Sequence, residues 1–252
     1  MPGISRASHI LKGVFIMTNL GMVMNEIANF MNEHLSEVVK EEPVKSKLKE
    51  LKHGLTVNNI IISDYKYLVE ETERLHNEKY TDEEIVETMT RWIHEKDCLN
   101  PECPARTQTT VKNYGDDKCA INHISIYLSS DAICRTMCQH PECSTNDIIN
   151  HYKLAVRHEY GHFIDYVMLN GTSYSEFVKR RKEEHLIEKD VYKRMDEFKE
   201  KANKDDKISE QDLIYTCNRM YYEEIPTEKK ANEYAKFTPE ELERLYTNDH
   251  LN

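Results

Sequence analysis

The amino-acid sequence predicts a mostly helical α+β fold. Apolar residues recur at helical spacing over long segments, as between Leu20 and Leu35. The segment from 121 to 128 differs, because Ile124, Ile126 and Leu128 alternate with polar residues, which is typical of a half-buried strand. Glycine accounts for only 7 of the 252 residues, which is consistent with a chain dominated by helices.

Residues 1–97 are predicted to form a helical N-terminal region. Its elements are, in order, a helix over about 20–39, a charged stretch over 41–52, a short strand over 56–62, and helices over 64–78 and about 81–95. The last helix opens with the capping box Thr81-x-x-Glu84. The stretch 98–106 is rich in cysteine and proline and predicts a loop, so a second domain is expected over residues 98–252.

A long helix after the strand carries two histidines four residues apart. Its central sequence is Arg157-His158-Glu159-Tyr160-Gly161-His162, with Asp147 as a candidate N-cap and Gly171 as a candidate stop. Side chains four apart share one helix face, so both imidazoles can reach one metal ion. The glutamate beside the first histidine can hold a water on that metal. The pattern indicates a zinc centre.

A catalytic zinc needs a third protein ligand, and Glu228 is the best candidate. Thr227 can cap a helix in which Glu228, Ala231, Asn232 and Ala235 share one face. The small alanines allow this helix to approach the histidines closely. Asn232 then lies one turn along, where it can hydrogen-bond a histidine ring. Other residues that can supply the ligand are Glu183, Glu184, His185 and Glu188.

Two further segments are expected to be helical. The stretch from 173 to 210 is highly charged and suits a solvated helix. The sequence Thr238-Pro239-Glu240-Glu241 repeats a capping-box signature with proline at the first helical position, which predicts a short last helix ending near Tyr246.

The motifs H-E-Y-G-H-F-I-D and E-x-x-A-N-x-Y-A together resemble the gluzincin-type zinc metallopeptidases. The most similar branches are the anthrax-lethal-factor-like and Pro-Pro-endopeptidase group and the ImmA/IrrE-type peptidases of phages and mobile elements. The resemblance spans about 121–237 and does not extend to residues 1–95. It implies a zincin-like catalytic domain with a small antiparallel sheet and an active-site helix. It also implies that His158, His162 and Glu228 bind Zn²⁺.

Further roles are expected for the residues around the metal, and that of Tyr221 is implied by the resemblance. Glu159 would act as general base and Tyr221 would donate its hydroxyl to the developing oxyanion. Asp165 would accept a hydrogen bond from a metal-bound imidazole or fix the geometry of the site. The strand at 121–128 would hold an extended peptide by edge pairing. The expected function is a zinc-dependent endopeptidase acting on a protein or peptide substrate. A catalytically silent zincin-like protein, or an interaction module organised by a cysteine-bound zinc, remains the alternative.

The seven cysteines include two copies of the pattern C-x-x-P-E-C. The copies run from Cys98 to Cys103 and from Cys138 to Cys143, and together they could bind a second, structural zinc. Disulfides and reduced thiols are the alternatives. The odd number of cysteines favours a reducing compartment, so a cytoplasmic location is expected.

The formal net charge of −11 disfavours nucleic acids and anionic membrane surfaces as partners. No segment reaches 18 uninterrupted apolar residues, so a membrane span is not expected.

Overall fold

The computed structural model describes residues 4–51, 55–62, 74, 78, 105–140, 142–204 and 208–247. The helices are α1 Ile4–Val38, α2 Val44–Glu50, α3 Ser130–Gln139, α4 Thr145–Leu169, α5 Tyr174–Ala202, α6 Glu210–Glu224, α7 Pro226–Ala235 and α8 Pro239–Thr247. The strands are β1 Thr56–Ile62, β2 Ala105–Thr109, β3 Lys112–Asn113, β4 Cys119–Ala120 and β5 His123–Ser129. The mostly helical α+β fold predicted from the sequence is confirmed.

Strand β5 lies in the centre of a three-stranded sheet with the order β1-β5-β2. It pairs with β1 in parallel and with β2 in antiparallel orientation, with Thr56 opposite His123 and Ala105 opposite Leu128. The prediction of an antiparallel sheet is therefore wrong for β1. A long crossover separates β1 from β5 in the chain, and such a connection returns the chain in the same direction. The second sheet is the antiparallel pair β3 and β4.

The position of β5 also overturns its predicted role as a peptide-binding edge. Its neighbours pair with it over nearly the same residues on both sides, so its backbone groups are already used within the chain. The predicted strand is confirmed, and Ile124, Ile126 and Leu128 have no exposed surface. The prediction that it is half-buried is wrong, because Ser125 and Ser129 are buried as well.

One hydrophobic core joins the N-terminal helix to the sheet and to α4. Leu20, Val23, Ile27 and Met31 are buried along one face of α1, as their spacing predicts. Helix α1 starts at Ile4, well before the predicted start near residue 20. The prediction of a helix in the charged stretch 173–210 is confirmed by α5, in which Val191 is the buried residue.

The ends of the two site helices differ from the predictions by a few residues. Helix α4 is capped by Ser144, and Asp147 is the third helical residue that completes a capping box with it. Its predicted stop is confirmed, because Gly171 follows the helix with φ of 80°. Helix α7 starts with Pro226, since the first helical position needs no N–H donor. Glu228 is therefore its third residue, whereas the sequence predicted the first.

Several predictions concern residues outside the described part of the chain. These are most of the helices expected over 64–78 and 81–95, and the first cysteine pair, Cys98 and Cys103. The last helix, α8, is confirmed, with the Thr238 hydroxyl accepting a hydrogen bond from the Glu241 backbone N–H. None of the described helices has a stretch long and apolar enough to cross a membrane.

Candidate metal centre

Helices α4 and α7 touch backbone to backbone at Gly161. A β-carbon built on Gly161 would lie 2.0 Å from the carbonyl oxygen of Ala231. Ala231 itself has no exposed surface. Only glycine fits at this crossing, and a glycine inside a helix otherwise destabilises it by roughly 0.5–1 kcal/mol relative to alanine. The glycine in H-E-Y-G-H is therefore explained by the approach of the second helix.

The close crossing brings Glu228 of α7 to both histidines of α4. One carboxylate oxygen, Oε2, lies 2.9 Å from Nε2 of His158 and 3.3 Å from Nε2 of His162. The side chains of His158, His162 and Glu228 are 5%, 17% and 13% exposed, so the group is shielded but open to solvent at one side. Two imidazole nitrogens and one carboxylate oxygen thus converge on one point.

Asn232 holds the ring of His158. Its Oδ1 lies 2.8 Å from His158 Nδ1, which confirms the hydrogen bond predicted from the helix spacing. The other end of the amide donates to the backbone carbonyl of Tyr222 at 3.3 Å. That second bond orients the amide, so Nδ1 of His158 is the donor and carries a proton. The opposite nitrogen, Nε2, faces Glu228. Metal-binding histidines are commonly oriented in this way, by a hydrogen bond to the ring nitrogen that does not bind the metal.

Charge interactions inside the site are strong because it is buried. Burial alone would lower the pKa of His162, but the hydrogen bond and the charge of Glu228 outweigh burial and raise it to about 9. Burial would likewise raise the pKa of Glu228, but hydrogen bonds from His158 and His162 hold it well below its usual range. Glu228 is therefore ionised, as a carboxylate ligand must be.

Glu159 lies beside the histidines and is 7% exposed. One of its carboxylate oxygens and a ring nitrogen from each of His158 and His162 all lie within 4.8 Å of one another. Its backbone carbonyl accepts a hydrogen bond of 2.8 Å from the Thr107 hydroxyl, which ties strand β2 to this turn of α4. The donor set of two imidazoles and a carboxylate, with a second carboxylate alongside, fits Zn²⁺.

Tyr222 contacts His158 directly. The ring of Tyr222 packs edge-on against His158 with 5.1 Å between ring centres. Tyr221 lies one step further out, against Tyr222 at 5.0 Å and Tyr192 at 6.3 Å. The role of Tyr221 at an oxyanion stays a prediction. Adjacent tyrosines point about 100° apart on a helix, so spacing alone left their order around the site open.

Asp165 connects the two site helices through an ion pair with Lys230 of α7. Its carboxylate is 13% exposed, so this pair is partly shielded from water. Of the two roles predicted for Asp165, this contact corresponds to fixing the geometry of the site.

The alternative third ligands lie on α5, where Glu184, His185 and Glu188 form ion pairs within the helix. Glu184 pairs with Arg180 and Arg181, and His185 pairs with Glu188. These contacts are local to one helix and leave Glu228 as the carboxylate that meets the histidines.

Two supporting residues of α4 were not predicted from the sequence. Arg157 forms an ion pair with Glu241, donates to the Ala235 carbonyl at 3.1 Å and lies 4.7 Å from the ring centre of Phe237. It therefore fastens the end of α7 and the start of α8 to the metal helix.

Tyr160 fastens the opposite face of α4. Its buried hydroxyl lies 2.7 Å from the Met31 carbonyl oxygen and 2.8 Å from Asn59 Oδ1, so its one hydrogen is shared between these two acceptors. Tyr160 lies inside the H-E-x-x-H segment and Arg157 directly precedes it, and this was the only sequence signal for either residue.

A second group of metal-ligand type lies in the loop before α4. One ligand atom from each of His140, Glu142 and Cys143 falls within 4.8 Å of the others. Cys143 belongs to the predicted four-cysteine zinc site, whereas Cys98, Cys103 and the side chain of Cys138 lie outside the described residues. His140 and Glu142 stand inside the C-x-x-P-E-C pattern but were not predicted as ligands.

Comparisons of this chain with protein-family models, with curated proteins and with solved structures found no match.

Proposed function

We propose that this chain is a zinc-dependent endopeptidase with His158, His162 and Glu228 as its zinc ligands. The observation that carries the proposal is the convergence of both Nε2 atoms on one oxygen of Glu228, at 2.9 and 3.3 Å. The three residues come from two helices and are 70 positions apart at the widest, as the His158–Glu228 contact shows. A chance cluster of surface charges would not have its first histidine oriented by a buried amide.

Each residue of the site has a chemical task in this proposal. Zn²⁺, when bound, polarises the scissile carbonyl and lowers the pKa of the attacking water. Glu159 accepts the proton of that water and passes it to the leaving amine. Asn232 keeps Nε2 of His158 directed into the site by accepting a hydrogen bond from the N–H at Nδ1. The buried setting strengthens these electrostatic interactions relative to water.

The substrate is proposed to lie along strand β2 in extended form. Within the described part of the sheet, β2 pairs with β5 on one side. Thr107 in its centre is bonded to the backbone of Glu159, so this strand runs beside the proton acceptor. An unpaired strand edge can bind an extended peptide through its backbone groups. This assignment replaces β5 as the peptide-binding strand.

The test compares wild type with Glu159→Gln on a library of peptides from a proteome digest. New peptide ends are identified by mass spectrometry, and zinc content is measured in the same samples. Glutamine keeps the size of the side chain but cannot accept the proton. We expect cleavage to fall by roughly 10²–10⁴-fold while the zinc content stays unchanged.

Glu183→Gln, on an exposed position of α5, is the matched control and should cleave as wild type does. Cleavage by Glu159→Gln at the wild-type rate would contradict the peptidase mechanism. A wild type that binds zinc through His158 but cleaves no peptide would instead support the catalytically silent alternative.

A further inference from the structure

The loop between α3 and α4 is folded so that its two ends meet. The backbone N–H of Cys143 donates to the carbonyl of His140 at 3.1 Å, and the N–H of His140 donates to Thr136 at 3.0 Å. The first of these bonds joins residues three positions apart, as in a β-turn. The turn therefore places the first and last side chains of the segment on the same side.

Three different metal-binding groups come together in this turn. A ring nitrogen of His140, a carboxylate oxygen of Glu142 and the sulfur of Cys143 lie within 4.8 Å of one another, and Nδ1 of His140 is 3.4 Å from the Glu142 carboxylate. Zinc binds nitrogen, oxygen and sulfur at about 2.0–2.3 Å in tetrahedral geometry, so neighbouring ligand atoms of one site lie roughly 3.3–3.8 Å apart. Side-chain rotations that shorten the distances in this group by about 1 Å would bring it to that geometry.

The turn is distinct from the centre formed by His158, His162 and Glu228. Cys143 directly precedes Ser144, the cap of α4, whereas His158 lies well inside the helix. At about 1.5 Å of rise per residue, the two groups are roughly 20 Å apart along α4. An ion in the turn would therefore fix the start of the helix and would not exchange ligands with the other centre.

We propose that His140, Glu142 and Cys143 form a second, structural binding site for Zn²⁺ at the N-terminal end of α4. This ligand set shares only Cys143 with the four-cysteine site expected from the sequence. The proposal is independent of any peptidase activity, since its evidence is the turn and its donors.

Cobalt titration of the full-length chain tests this site separately. Metal-free, reduced protein is titrated with Co²⁺, and the near-ultraviolet absorption from thiolate-to-cobalt charge transfer is recorded. Imidazole and carboxylate ligands give no such band, so cobalt bound at the His158 centre does not contribute to this absorption. We expect the wild-type band to reach its full intensity at about one to two equivalents of added Co²⁺, because the centre at His158 also takes up cobalt without adding to the band.

Two variants then test the proposed ligands, and a third is the control. Cys143→Ser should abolish the band, and His140→Ala should weaken cobalt binding at least about tenfold, because even outer-sphere partners of ligands contribute that much. Cys217→Ser, at a buried thiol in α6, is the matched control and should leave the band unchanged. Circular dichroism confirms that each variant keeps the helical fold.

Any of three other results would contradict the proposal. A wild type without the band, or a band that survives Cys143→Ser, excludes thiolate ligation in the turn. If Cys143→Ser loses the band but His140→Ala binds cobalt as tightly as wild type, the site consists of cysteines alone and the proposed ligand set is wrong.

Discussion

Replacing Gly161 by alanine should separate the two helices that form the metal centre. The added β-carbon would lie 2.0 Å from the carbonyl oxygen of Ala231 and 2.6 Å from its carbonyl carbon. β-Carbons essentially never approach other atoms within 3.0 Å, and the obstacle here is backbone, so α7 must move by at least about 1 Å. Glu228, one turn before Ala231, moves with it.

The substitution Gly161→Ala has two opposing effects on the stability of the protein. Alanine is favoured over glycine in a helix by about 1 kcal/mol, whereas overpacking a tight contact costs about 1–3 kcal/mol. The difference is a net loss of up to about 2 kcal/mol in the free energy of unfolding of the metal-free protein. Metal–ligand distances tolerate only about 0.2 Å, so a shift of Glu228 by about 1 Å should also lower zinc affinity at least tenfold.

Urea denaturation of metal-free protein and zinc competition with a chelator measure the two effects. Gly21→Ala is the matched control, because this helical glycine of α1 has no atom within 4 Å of its added β-carbon. It should gain roughly 0.5–1 kcal/mol in unfolding free energy and bind zinc as wild type does. If Gly161→Ala gains stability as the control does and keeps wild-type zinc affinity, the contact between α4 and α7 does not position Glu228.

Three further substitutions test the supports of the site. Asn232→Ala should lower zinc affinity by about 10–100-fold, because His158 loses the group that orients its ring, and unchanged affinity in chelator competition would refute this role. Tyr160→Phe should lower the free energy of unfolding by about 1–2 kcal/mol in urea, since it leaves buried acceptors without their donor; a change near zero would contradict that. Arg157→Lys should cost about 1–2 kcal/mol in the same assay, because lysine cannot form the two-nitrogen contact with Glu241, and a fully stable lysine variant would argue against it.

Features set by local helical geometry were predicted from the sequence. The shared face of His158 and His162, and that of Glu228 and Asn232, follow from 3.6 residues per turn, and the structure brings all four together. The alternation that predicted β5 is equally local, because side chains on a strand point to opposite faces.

Features that depend on distant parts of the chain were not predicted. The parallel pairing of β1 with β5 joins segments separated by a long crossover, and no pattern within either strand encodes its partner. The ion pair between Arg157 and Glu241 spans 84 positions and is a product of the final packing.

The helix starts were misplaced because neighbouring residues offered competing signals. Ser144 and Asp147 are both good capping residues, and in the structure they act together in one capping box. For α7, the suitability of Thr227 as a cap was outweighed by Pro226, which fits the first helical position. These shifts did not move Glu228 off the face that meets α4, since the helix continues through it in either case.

Zinc content of the purified protein tests the central claim most directly. Elemental analysis of wild type, Glu228→Ala and Glu233→Ala compares the proposed ligand with an exposed glutamate of the same helix. We predict that Glu228→Ala holds about one equivalent less zinc than wild type, whereas Glu233→Ala holds the same amount. Equal zinc in wild type and Glu228→Ala would show that Glu228 is not a ligand and would contradict the proposed centre.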